Sequence, residues 1–106
     1  MSPSETMVAD RFKALLAQRL TVFRVILFGS RARGSADPAS DMDVVVVLSG
    51  AVGDPERDYV SECAWDAGFD QGIVVVPIVF GRDEWESGPE KHSLLARAVA
   101  AEGVPL

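Results

Sequence analysis

Two short stretches carry residue types suited to chemistry: Gly29-Ser30-Arg31-Ala32-Arg33-Gly34 and, just after it, Ser40-Asp41-Met42-Asp43. A glycine lets the backbone come close to a phosphate, and the serine beside it offers a hydroxyl donor. Either Arg31 or Arg33 adds a charge-assisted hydrogen bond. Two apart on a short helix, they do not face the same way, so both are not assigned to a phosphate; Arg33 is grouped with Gly29 and Ser30. Asp41 and Asp43 flank Met42, and at the mouth of a strand that spacing turns both carboxylates to one face. Such a pair suits Mg²⁺, which is usually held by one or two carboxylates plus substrate phosphates. A phosphate cradle facing metal-ready carboxylates is what transfer of a nucleotidyl group needs. Taken singly, each stretch also reads as a turn; their juxtaposition is what points to a site.

The surrounding elements follow from apolar spacing. Residues 5–20 read as an amphipathic helix, with Val8, Phe12, Leu15, Leu16 and Leu20 at helical intervals. Residues 23–28 read as a buried strand stopped by Gly29, residues 30–36 as a short helix, and residues 37–40 as a turn. The unbroken apolar run after Asp43, ending at Leu48, predicts a strand buried on both faces. Asp54 as N-cap, Pro55 and Glu56 open a helix that runs to about Ala67, with Gly68 as its stop. Residues 73–80 form a third strand, and Pro77 inside it demands an edge or a bulge. Residues 82–86 suggest a helical turn. Residues 89–101 suggest a last helix, with Leu94, Leu95, Ala98 and Val99 facing inward and Gly103 ending it. Strands alternating with helices predict an α/β sandwich.

A chain of 106 residues, 48% hydrophobic, is one domain, residues 1–106, with a modest core. It has room for half of a cleft, so a partner chain or self-association is left open as the other wall. A net charge of -6 disfavours sequence-blind binding to nucleic acid. Cys63 is the single cysteine, so no internal disulfide forms; it is expected to pack inward with Val60 and Ala64. No basic leader precedes an apolar stretch and no apolar run approaches membrane-spanning length. The expected location is cytoplasmic.

The paired motif, Gly29-Ser30-Arg31-Ala32-Arg33-Gly34 followed by Ser40-Asp41-Met42-Asp43-Val44, resembles the signature of the DNA polymerase β-like nucleotidyltransferase superfamily. It is most similar to the small stand-alone branch, the minimal nucleotidyltransferases. The resemblance covers residues 23–80, and the tail, Glu84-Trp85 and then Glu102-Gly103-Val104, also looks like short bacterial members. It implies a small mixed sheet flanked by helices. It also implies Mg²⁺-dependent transfer of a nucleoside monophosphate from a nucleoside triphosphate, ATP first among them, to an acceptor hydroxyl. Carried over, Asp41 and Asp43 are the catalytic metal ligands, and Gly29 and Ser30 hold the triphosphate. The family usually adds a third carboxylate on the strand after the intervening helix, and residues 73–80 contain none. Asp70 precedes that strand; Asp83 and Glu84 follow it.

Two readings follow. One is a nucleotidyltransferase acting on a protein or small-molecule hydroxyl. The other is a catalytically weak or inactive binding module, since small members of this family accompany helical HEPN-type toxins as antitoxins. The last helix and the residues Val104-Pro105-Leu106 are candidates for docking such a partner. Extension of nucleic acid is disfavoured, because the chain is acidic and lacks a second gripping domain. His92, the single histidine, is expected on an exposed helix face, Trp65 and Trp85 in packing, Tyr59 as an ordinary helix residue, and Asp83, Glu84 and Glu86 on a solvated turn.

Overall fold

The computed structural model describes residues 1–34, 37, 39–88 and 94–106, the side chain of Leu94 excepted. The order is α1 (Pro3–Ala17), β1 (Val22–Phe28), α2 (Ser30–Arg33), β2 (Met42–Leu48), α3 (Asp54–Phe69), β3 (Val75–Gly81), α4 (Arg82–Ser87), α5 (Leu94–Glu102) and β4 (Val104–Pro105). The strands form one sheet in the order β3-β2-β1-β4. β1 runs antiparallel to β2 and β4, whereas β2 and β3 are parallel, joined through α3. This is the mixed α/β sheet the resemblance implied.

β2 is the centre, as its apolar run predicts. Val44 to Val47 are all 0% exposed, each contributing roughly 1.5–3 kcal/mol of burial. The two faces of the strand feed two cores. Met42, Val44, Val46 and Leu48 pack with α1 and α3 through Phe12, Leu16, Val60, Cys63, Ala64 and Ala67. Val45 and Val47 pack with Ile26, Phe80 and Val99, closed by Trp85 and Leu95. β3 is an edge strand, which accommodates the missing N–H of Pro77. Tyr59 ties α3 to α1, its hydroxyl donating to the Leu15 carbonyl at 2.6 Å. Among the described residues no helix is long and apolar enough to cross a membrane.

Several boundaries differ from expectation for tertiary reasons. α1 starts earlier, because Ser2 caps it: the Ser2 hydroxyl accepts from the Glu5 N–H, and Glu5 accepts from the Ser2 N–H. Asp54 lies inside α3; Gly53 is the cap, its N–H donating to the Glu56 carboxylate at 2.7 Å. Gly68 does not stop α3. It sits where the returning chain crosses, and a Cβ there would lie 1.8 Å from the Ile73 carbonyl oxygen. Ala98, expected inward, is exposed, while Val99 is buried. Residues 104–106 are not a free tail: Pro105 pairs with Ile26, Val104 with Leu27, and the Leu106 N–H donates to the Val25 carbonyl at 2.8 Å. His92 and the start expected for the last helix lie outside the described residues.

Candidate functional site

The antiparallel register places Phe28, the last residue of β1, opposite Asp43, the second residue of β2. The chain then turns at Gly29, whose φ of 75° and ψ of -156° fall in a region essentially reserved for glycine. A Cβ on Gly29 would lie 2.8 Å from Asp43 Oδ2. The Gly-Ser turn and the second carboxylate are therefore in contact. Ser30 opens the single turn of α2, which Gly34 ends in the left-handed conformation.

A second contact fixes the loop that delivers Asp41. The Arg31 guanidinium donates to the Ser40 carbonyl through Nε at 3.0 Å and Nη2 at 2.7 Å, and through Nη1 to Glu5 Oε2 at 3.2 Å. The Arg31 and Glu5 side chains are only 7% and 11% exposed. Burial pushes the Glu5 carboxyl upward, but hydrogen bonds from Ser2 and the Arg31 charge outweigh it and hold the group below its usual range. Asp37 adds a local turn, accepting from the Ala39 N–H at 2.8 Å. Arg33 instead reaches Glu102 Oε2 at 3.0 Å, with both side chains partly solvated. The two arginines thus serve opposite sides of α2, as their spacing indicates. Glu5 was not singled out in the sequence; its capping box with Ser2 is readable there, but its pairing with Arg31 is not.

Asp41 is exposed and Asp43 is half-buried. Burial raises the Asp43 carboxyl above its usual range, and the charge of Asp41 raises it further. No ion pair to either acid occurs among the described residues. Two mutually repelling carboxylates beside a glycine cradle fit a hard divalent cation. No third His, Cys, Asp or Glu joins them among the described residues. The β3 residue in register with Asp43 is Val76. Asp70 is the exposed C-cap of α3. Asp83 and Glu84 lie in the first turn of α4, beyond the far end of β3, where Gly81 pairs with Leu48. Trp85 packs on Phe80 with ring centroids 5.3 Å apart, while Trp65 is exposed.

The sequence model described as "Nucleotidyltransferase domain" matches residues 9–86. No curated protein matches the chain. Among solved structures, one assigned as a minimal nucleotidyltransferase is 26% identical, covering 99% of this chain and 97% of its own, with a TM-score of 0.63. A Shewanella oneidensis complex of a tri-AMPylated HEPN toxin with its MNT antitoxin matches at 16% identity, covering 96% of this chain and 70% of that one, with a TM-score of 0.57. A toxin-antitoxin structure with AMP-PNP matches at 19% identity, covering 91% and 69%, with a TM-score of 0.60. The last two bear on fold alone. With the family model spanning most of its length, this chain belongs to the nucleotidyltransferase domain family.

Proposed function

We propose that the chain is a cytoplasmic, Mg²⁺-dependent nucleotidyltransferase domain that moves a nucleoside monophosphate from a nucleoside triphosphate, ATP first, to an acceptor hydroxyl on a partner protein. The observation that carries this reading is the contact between the Gly29 turn and Asp43, with Asp41 close enough to disturb its ionisation. Asp41 and Asp43 would hold the cation; Gly29 and Ser30 would receive the triphosphate. Arg33 would reach a phosphate only by leaving Glu102. A divalent cation supplies charge neutralisation on the phosphate oxygens and the departing pyrophosphate. In the transfer, the acceptor oxygen bonds to the α-phosphorus, the bond to the bridging oxygen breaks, pyrophosphate leaves, and the hydroxyl proton goes to a base. The toxin-antitoxin relatives, one holding AMP-PNP and one an AMPylated toxin, support a HEPN-type protein as the acceptor.

The test is transfer from α-labelled ATP with Mg²⁺ onto a HEPN-type protein encoded beside this chain. Asp43→Asn should abolish labelling. Labelling that survives it would remove Asp43 from the chemistry.

Val76 beside Asp43 favours a second reading, in which the domain binds its partner with little or no transfer. A stable complex with that protein, with no label transferred by the wild type, would select it.

A further inference from the structure

An apolar groove of about 470 Å³ runs along the outer side of β3, with Trp65, Gly68 and Phe69 of α3 on one wall and Val74 to Pro77 on the other. Trp65 and Phe69 are 63% and 66% exposed and touch each other, ring centroids 5.7 Å apart. Val74 and Val76 are also exposed. Scattered exposed apolar residues are ordinary; two aromatics and two valines on one groove are not.

The groove also meets an open sheet edge. The Val74 carbonyl accepts from the Met42 N–H, so the even-numbered residues of β3 turn their peptide groups to β2 and the odd-numbered ones turn theirs outward. Arg57 occupies one outward carbonyl, that of Val79, at 3.0 Å. Glu62, Asp66 and Asp70 are exposed alongside Trp65 and Phe69, and none is in an ion pair among the described residues. Glu62 and Asp66 share a second depression with Ser61 and Trp65. The rim is thus acidic and the floor apolar.

We propose that this groove docks a protein partner through a ridge of apolar residues flanked by lysine or arginine. The charges select that occupant. A second copy related by a two-fold axis would bring these three acids against their own images. Pro77 would interrupt a ladder between two β3 edges. An anionic lipid surface would be repelled by the same acids. Trp and basic partner residues are, by contrast, the usual anchors of protein interfaces.

The test needs neither nucleotide nor metal, so it stands apart from the transfer reading. A random peptide library is selected against the full chain, and individual peptides are titrated. Wild-type protein should enrich peptides combining aliphatic residues with Lys or Arg. Those peptides should bind at least about tenfold more weakly to Trp65→Ser/Phe69→Ser and to Glu62→Lys/Asp66→Lys, and should shift the amide resonances of Val74, Val75 and Val76. Both altered pairs are on the surface; if the aromatic pair melts early, the charge-reversal pair alone decides. Peptides that are acidic, that bind the charge-reversal pair equally well, or that fail to enrich over the aromatic pair would overturn the proposal. So would a concentration-dependent wild-type dimer, in sedimentation, that Trp65→Ser dissolves.

Discussion

At the scale of single residues, the two glycines that bracket α2 separate conformation from function. Gly34 is left-handed with open space around its Cβ position, so Gly34→Ala should cost about 1–2 kcal/mol in urea unfolding and nothing more. Gly29→Ala should cost about 1–3 kcal/mol and also push Asp43 aside. It alone of the pair should abolish Mn²⁺ and ATP binding by calorimetry; equal binding by both variants would divorce Gly29 from the site. Glu5 and the half-buried Asp43 have opposite pH signatures. Glu5 is held below its unfolded value, so its stabilisation is present above that value and disappears as pH falls through the folded one. Asp43 is held above its unfolded value. Its charge therefore destabilises the fold at neutral pH, and the penalty lifts as pH falls through the folded value. Asp43→Asn should raise the melting temperature at pH 7 without cation, and the difference should close in acid. A variant that melts lower at pH 7 would mean the carboxylate is stabilised by something not yet identified. Arg31→Met strands Glu5 in a nearly dry setting and should cost about 3 kcal/mol, while freeing Ser40 and hence Asp41.

Elements show where local pattern ends and tertiary contact begins. Pro77 removes an N–H from the outward side of β3, so Pro77→Val should restore an edge that pairs with other chains. Concentration-dependent association by light scattering is the expected result, and a strictly monomeric variant would show that the acidic rim alone keeps copies apart. The apolar runs made β1, β2 and β3 legible, and Pro77 made β3 legible as an edge, because burial and donor count are properties of the segment itself. β4 was not legible: a two-residue strand containing proline has no period, and it exists only because β1 has an open side. Gly68 reads locally as a helix stop, yet what requires glycine is the Ile73 carbonyl crossing it, a fact of chain return. The site divides the same way. Residue types pointed to Gly29, Ser30, Asp41 and Asp43, but the contact of Gly29 with Asp43 depends on the Phe28–Asp43 register, and Glu5 reaches Arg31 only because α1 packs over the sheet. Deleting residues 104–106 should cost about 1–3 kcal/mol of partly buried apolar surface, measured by urea midpoint, and leave β1 as a sticky edge.

Across the whole molecule, 34 × 30 × 17 Å in extent, β3 is shared. Its register joins Val76 to Asp43, and the same strand lines the groove beside Trp65 and Phe69. A protein seated in that groove would lie next to the carboxylates, where this chain offers a valine instead of a third acid. On the proposed reading, a partner docked there would complete this small, acidic half-site with its hydroxyl, an acid or both. Val76→Asp tests this division of labour because it moves the two properties in opposite directions. A third carboxylate on the face of Asp43 should tighten Mn²⁺ binding about tenfold, equivalent to 1.4 kcal/mol, and raise the rate of label transfer from ATP. It should also weaken peptide or partner docking, since it replaces an apolar residue that lines the groove. Initial rates, Mn²⁺ titration and partner titration on one preparation measure all three. Unchanged metal affinity would mean that position 76 does not face the cation, and unchanged docking would confine the groove to α3.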